Sequence, residues 1–443
     1  MADSSLASSP PRAAADLLAV SFGTTVILWM IGYICRMPPA WVPSPIVLIL
    51  MVACLLFGGV WIGRTTPRGW KGGLQIGLLA SFLNLLVLGS VLTDHAESRG
   101  IPTVALWLPG WFLLAALLGA IGAGLGALRP QRAPVDSWTG RFAQVGVGAT
   151  FLLLVAGGLV TSKDAGLAVV DWPNSFGYNM FLYPLSRMTG GVYYEHAHRL
   201  FGSLVGLTTL CLAVHLWLVE DRRWLKGLAL VALLAVIAQG VMGGLRVTGR
   251  FTLSASPEDT APNLLLAAVH GVFGQVFFAL MGSLAVLTSH SYRLSRPASP
   301  VPTSRLDIRL ADSFVVLLFA QIILGAIQRH YASALISHLT LASIATLVAL
   351  VVGIRGFALH PSSSPARKCG VWLIVVVGLQ LISGFGALLT TLPMGSAYSF
   401  SENVRAFLPT LHQALGAILL ALSVALAIWV RREMPSTQSA GEA

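Results

Sequence analysis

Charge is what this sequence has least of. Only 10% of its 443 residues are charged and 56% are hydrophobic, whereas a soluble globular protein carries about 25% charged residues, so a water-soluble fold is excluded. Acid is scarcer than base, 17 Asp and Glu against 28 Lys and Arg, for a net charge of +11. The basic excess falls in short clusters between apolar runs and builds no basic, aromatic-interleaved face, which fits membrane orientation and speaks against nucleic-acid binding. Cysteine is nearly absent as well: Cys35, Cys54, Cys211 and Cys369 lie in or at the ends of apolar runs, without paired metal or redox spacing. They read as small buried hydrophobes. The first apolar run lacks a charged leader and is too long for a signal-peptide core, so it reads as a membrane span.

Long apolar runs are what the chain has in abundance. A bilayer core about 30 Å thick takes roughly 20 apolar residues per helix. By that measure there are twelve spans, near 14–35, 43–63, 73–93, 104–128, 142–162, 194–219, 225–246, 262–288, 311–328, 331–354, 369–391 and 406–430. Continuous runs without dyad alternation exclude a barrel, so the expected fold class is an all-α polytopic membrane protein. Basic clusters mark alternate connections: Arg64, Arg68 and Lys71; Arg129, Arg132 and Arg141; Arg222, Arg223 and Lys226; Arg293 to Arg309; Arg355, Arg367 and Lys368; Arg431 and Arg432. Loops of that kind stay in the cytoplasm. Both termini are therefore expected inside, with the long connection 163–193 and the loop 247–261 outside.

Polar residues within apolar helices are costly and usually mark function. Here they repeat. His198, Gln239 and His270 are separated by 41 and 31 residues, and His338, Gln380 and His412 by 42 and 32, an offset of 140 to 142 between halves. Each of these glutamines is followed four residues on by a glycine, Gly243 and Gly384. The last eight spans thus form two four-helix bundles related by an axis along the membrane normal. The chain divides into an N-terminal four-span module at 1–135 with no assigned role, bundles at 136–300 and 301–432, and a polar tail at 433–443. The bundles differ in one respect: about 40 residues separate Gly157-Gly158 from His198, but 13 separate Gly325 from His338. One elaborated loop on a duplicated frame points to one structural site and one site of chemistry.

All four histidines lie on helices entering from the outer side, four to eight residues in, which at 1.5 Å per residue places them roughly 6 to 13 Å below the boundary. In each bundle they can face each other across the interior, where cofactors are built from facing helices. That suits bis-histidine haem ligation, with glycine-rich apolar walls around the macrocycle; a zinc site would want carboxylates or thiols nearby, which only the first half offers. A lone membrane histidine more often bonds a neighbouring helix. His215, His290, His360 and His95 keep that plain role, while His196 and His330 adjoin the layer without counterparts. Gln239 and Gln380 read as helix-bonding or ligand-orienting residues. Glu195, one turn outward of His198, is a candidate proton acceptor or a helix-start charge complementing the dipole. Arg199, Arg246 and Arg329, at outer helix ends, could grip haem propionates or anchor at the interface.

These residues bring a family into view. Gly157-Gly158-Leu159-Val160-Thr161-Ser162, Ala165-Gly166-Leu167-Ala168, Asp171-Trp172-Pro173 and Glu195-His196-Ala197-His198-Arg199 resemble the signature of haem A synthase. The resemblance continues through Gln239-Gly240-Val241-Met242-Gly243-Gly244-Leu245-Arg246, His270-Gly271, Gln321 to Gly325, His338, Gln380 and His412-Gln413, covering about residues 140 to 430. It implies an oxidoreductase of the bacterial inner membrane that converts the C8 methyl group of haem O to the formyl group of haem A for cytochrome oxidase assembly. By that resemblance His198 and His270 hold haem O or haem A, His338 and His412 hold haem B, and Glu195 is tied to turnover. Haem O synthase and an electron-transfer protein are implied partners, and oligomerisation stays open. Two departures stand out: Val170 occupies a place where many relatives carry a cysteine, and the N-terminal four spans are extra. The competing readings are a di-haem electron carrier and a 12-span secondary transporter.

Overall fold

Backbone groups in hydrocarbon must bond within their own segment, and each apolar run accordingly folds as one helix. The computed structural model describes residues 14–39, 42–99, 101–131, 135–247, 263–295, 304–391 and 400–433. Its helices are α1 (Ala15–Arg36), α2 (Ser44–Thr65), α3 (Gly69–Arg99), α4 (Ile101–Ala127), α5 (Trp138–Ser162), α6 (Gly190–Val219), α7 (Arg223–Val247), α8 (Leu264–Thr288), the short α9 (His290–Leu294), α10 (Ser304–Tyr331), α11 (Leu335–Leu359), α12 (Pro365–Thr391) and α13 (Glu402–Glu433). All but α9 contain a stretch long and apolar enough to cross a membrane, twelve in all. Ile49, Phe57, Phe82, Leu347 and Ile382 stand exposed on their outer faces, a surface suited to lipid rather than water. The chain is an all-α, multi-pass membrane protein. Residues 248–261 and 434–443, and the His95 side chain, lie outside the described residues.

The duplication is visible in the packing. α5, α6, α7 and α8 close into a ring of neighbours, and α10, α11, α12 and α13 close into another in the same order. The rings join where α13 packs on α5 and α8, and α10 on α8. At one end of this seam Lys163 Nζ reaches Glu402 Oε1 at 2.8 Å and Asn403 Oδ1 at 2.9 Å, and the Ser162 and Thr410 hydroxyls lie 3.1 Å apart.

The first four spans pack by a different chemistry. Gly59 and Gly63 on α2, Gly73 and Gly77 on α3, and Gly119 and Ala123 on α4 repeat small residues at every fourth position, letting backbones meet. A Cβ on Gly59 or Gly73 would collide with the Gly119 carbonyl, and one on Gly63 with that of Ala123. α1 then faces the first ring. Phe22 meets Phe142 at 5.3 Å, Trp29 meets Phe201 at 5.8 Å, and Tyr33 stacks on Tyr193 at 5.4 Å with planes 6° apart. The Tyr193 hydroxyl donates to the Tyr33 carbonyl, and the Tyr194 hydroxyl to that of Pro38 at 3.3 Å. Phe22, Trp29, Phe142, Leu204 and Met281 belong to one buried cluster, so the N-terminal module shares its core with the first ring.

Between α5 and α6 the long connection carries a hairpin, β1 (Asn174–Ser175) antiparallel to β2 (Tyr178–Asn179), with Asn174 opposite Asn179 and Ser175 opposite Tyr178. Its two-residue turn needs positive φ at both central positions, supplied by Phe176 at +52° and Gly177 at +80°. The Asp171 carboxylate accepts both their N–H groups, at 2.7 and 2.8 Å.

Candidate functional site

The histidines of the repeat meet in two pairs. His198 on α6 and His270 on α8 have ring centres 6.4 Å apart with planes at 84°, and His338 on α11 and His412 on α13 lie 6.2 Å apart at 83°. Two imidazoles ligating one metal from opposite sides stand about 6 Å apart by centres, from about 2 Å per metal–nitrogen bond and roughly 1 Å more to each ring centre. Each ring lies against a glycine of the preceding helix. A Cβ at Gly157 would come 2.9 Å from His198 Cε1, at Gly243 3.5 Å from His270 Cε1, at Gly325 3.1 Å from His338 Cε1 and at Gly384 2.7 Å from His412 Cε1. Among the described residues no three His, Cys, Asp or Glu side chains converge on one point. Two facing imidazoles, each against a glycine, are a donor set that would fit a haem.

Among the described residues, charged side chains gather beside the first pair. Glu195 is buried, with 4% of its surface exposed. Its Oε1 accepts from Arg199 Nη2 at 2.9 Å, and its Oε2 from the Val169 N–H at 3.4 Å. Arg199 also donates to the carbonyls of Asp171 (2.6 Å), Asn174 (3.0 Å) and Val169 (2.6 Å). Its fork thus bonds the loop before α6, at the helix end where the sequence left a propionate contact and interfacial anchoring both open. Trp172 from the same loop lies over α7, where a Cβ on Gly244 would overlap its indole, and Gly166 leaves room for the Arg246 guanidinium. Burial raises the Asp171 carboxyl, but the N–H groups of Gly177 and Phe176 and the Arg199 charge outweigh it and hold the group below its ordinary value.

Arg246 lies within electrostatic reach of Glu195, His198, His270 and His330, and its Nε is buried without a partner. Arg329 Nη2 donates to Ser162 Oγ at 3.1 Å, at the seam between rings. His330 joins Arg246 and Arg329 as a third basic side chain. His196 lies 3.1 Å from the Ser175 hydroxyl and 5.0 Å from the Tyr183 ring, tying the hairpin to α6. His215 meets the Thr139 hydroxyl at 3.0 Å and His360 the Glu433 carboxylate at 2.7 Å, the helix-joining roles expected of them.

The glutamines reach the histidines. Gln239 Nε2 donates to the His270 carbonyl at 3.2 Å, and Gln380 Nε2 lies 3.4 Å from His412 Nε2. Gln321, not singled out by the sequence reading as a site residue, does most: its Nε2 is 3.0 Å from His338 Nδ1 and donates to the His338 carbonyl at 3.0 Å. The signal for it was present. Gln321 precedes Gly325 by four residues, as Gln239 precedes Gly243 and Gln380 precedes Gly384.

Residues 178–337, from the second hairpin strand to the residue before His338, match the family model described as cytochrome oxidase assembly protein. No curated protein matches the chain.

Proposed function

We propose, from the match of residues 178–337 to the family model described as cytochrome oxidase assembly protein, that the chain is a haem A synthase. In this reading it is an oxidoreductase that takes the C8 methyl group of haem O to a formyl group, giving haem A, the formyl oxygen coming from water or dioxygen, the electrons passing to an external oxidant and the displaced hydrogens leaving as protons. The observation that carries it is the repeated histidine pair, ring centres 6.4 and 6.2 Å apart, each ring seated on a glycine. The first pair takes the substrate haem, because a buried carboxylate and a folded loop adjoin that pair. The second pair takes a resident haem B.

A methyl C–H bond is too strong for protein acids and bases, and haem iron supplies the redox chemistry that its oxidation needs. The chain's own residues do the rest. His198 and His270 orient the substrate, and Gly157 and Gly243 give their imidazoles room. Trp172 and the hairpin cover the approach and keep water out. Glu195, steadied by Arg199, takes up protons released as the methyl group is oxidised. Arg246 and Arg329 offer paired charge to the substrate's two propionates. An electron-transfer protein as redox partner, a haem O synthase to deliver substrate, cytoplasmic termini and haem pairs toward the outer face of a bacterial inner membrane complete the proposal.

The test is a pyridine haemochrome spectrum with chromatography of extracted haem, on protein purified from cells making haem O, with and without His338→Ala. Haem B together with haem O or haem A, the haem B being lost in the variant, is the expected result. Protein without any haem would overturn the proposal.

A further inference from the structure

The long connection beside the first pair is held from two sides. α6 holds one side: Arg199 bonds the carbonyls of Val169, Asp171 and Asn174, and His196 lies 3.1 Å from the Ser175 hydroxyl. The N-terminal module holds the other. The hairpin runs directly into the turn Met180–Leu182, and that turn packs on α3. Gly89, two residues beyond the apolar stretch that ends at Val87, leaves room for its backbone. A Cβ there would overlap the Phe181 carbonyl and come 3.0 Å from Leu182 Cδ2. The Phe181 side chain joins Leu86 and Val87 of α3 against the buried cluster that the module shares with the first ring.

The module is tied internally so that α3 keeps this place. Trp29 Nε1 of α1 donates to Asn84 Oδ1 of α3 at 2.8 Å, with both side chains buried, where a satisfied polar pair is strong and directional. α1 then reaches the connection itself: Tyr33 and Met37 pack against the buried group that includes Tyr183, Met188, Tyr193 and Tyr194. Tyr183, next after the turn seated on α3, lies 5.0 Å from the ring of His196, the neighbour of Glu195. A shift of the turn away from α3 is thus passed to α6 beside Glu195, and through the hairpin to the Val169 N–H that Glu195 accepts. The second ring, with 13 residues between Gly325 and His338, has no long connection for such a support to hold.

Resting on the haem A synthase reading above, we infer that the four-span module is a brace for the substrate site, fixing the hairpin loop against α6 so that Trp172 and Glu195 keep their places beside the first pair. Long connections are costly to order and are commonly functional where they are ordered, and misplacing a reacting group by about 1 Å costs up to about a hundredfold in rate. Gly89 and Phe181 are positioning residues that act through the loop.

Two variants of the full-length protein test this. Gly89→Val sets a side chain where the Phe181 carbonyl stands, and Phe181→Ala removes the anchor of the loop without filling any space. Hydrogen–deuterium exchange in detergent and the kinetics of haem A formation are read on both. The N–H groups of Val169, Phe176 and Gly177 are expected to exchange about tenfold or more faster than in wild type. The kcat for haem A formation is expected to fall by about tenfold or more while KM for haem O changes less, and the haem of the second pair to stay at its wild-type level. Unchanged exchange and kcat in both variants would overturn the inference, as would loss of haem from the second pair in step with the first, the mark of a general loss of fold. Wild-type protein that makes no haem A would overturn the synthase reading instead, and the exchange comparison would still decide whether the module braces the loop.

Discussion

Adding one methyl group to each of the four ring-facing glycines tests the proposed haem sites in a graded way. Carbon atoms rest at about 3.5 Å or more from one another, and the new Cβ would stand 2.7 Å from the His412 ring at Gly384, 2.9 Å from His198 at Gly157, 3.1 Å from His338 at Gly325 and 3.5 Å from His270 at Gly243. The Gly384→Ala methyl is therefore short of room by about 0.8 Å, and the Gly243→Ala methyl by nothing. A metal–imidazole bond tolerates about 0.2 Å of misplacement, so the imidazole pushed aside at Gly384 leaves its ligating position and the one at Gly243 stays. Low-spin haem content, read by absorbance and electron paramagnetic resonance on each purified variant, should fall in the order Gly384, Gly157, Gly325, Gly243, with Gly384→Ala retaining a tenth or less of its pair's haem and Gly243→Ala keeping its own. Equal loss at all four positions, or loss at Gly243 with retention at Gly384, would refute the claim that these glycines exist to seat the rings.

Glu195→Gln should leave both haem spectra in place while haem A formation falls at least a hundredfold; full haem A output would show that the carboxylate moves no protons. Tyr33→Ala removes an aromatic stack worth about 0.5–1.5 kcal/mol beyond its buried area, so it should lower the unfolding temperature in detergent and speed proteolysis of the 163–189 connection; unchanged cleavage there would refute the coupling of α1 to the outer end of α6. Glu220, after α6, bonds Arg222 Nε at 2.8 Å and Arg293 Nη2 at 2.8 Å. Burial raises its carboxyl, but the Arg222 bonds and the charges of both arginines bring it down to about 2. A depressed carboxyl stabilises fully above its unfolded value, about 4.3, and loses that contribution as pH falls through about 2. The stability gap between wild type and Glu220→Gln should thus be constant above about pH 5 and shrink in stronger acid; a gap independent of pH would exclude the ion pair as its source.

The spans are legible because apolar length is a local property: the expected boundaries lie close to the helical apolar stretches, the start of the ninth span differing by six residues, at 305 against 311. The histidine pairs are legible because duplication preserves spacing, so His198, His270, His338 and His412 announce themselves by arithmetic. Contacts that duplication does not preserve are harder to read. Arg199 at a helix end looks available to an anion, yet its fork closes on three carbonyls of a loop whose hairpin carries only a two-residue turn signal, Phe176-Gly177. The pairing of Tyr33 with Tyr193 joins residues 160 positions apart, a separation that leaves no periodic trace in either segment. Gln321 shares the spacing of Gln239 and Gln380 from their glycines but belongs to the other helix of its pair, so a search for matching intervals between halves passes over it.

The aromatic seam between α1 and α6 also bears on how the chain is made. N-terminal segments leave the ribosome first, so α1 reaches the bilayer while Tyr193 and Phe201 are still unsynthesised, and Trp29 and Tyr33 must wait against lipid. α2, α3 and α4, which meet through their own glycines, can assemble in the interval without help from later segments. The nascent protein would thus pass through a stage in which a finished four-helix platform stands ready, and emergence of α6 would dock the Glu195 and His198 segment onto a surface already in place.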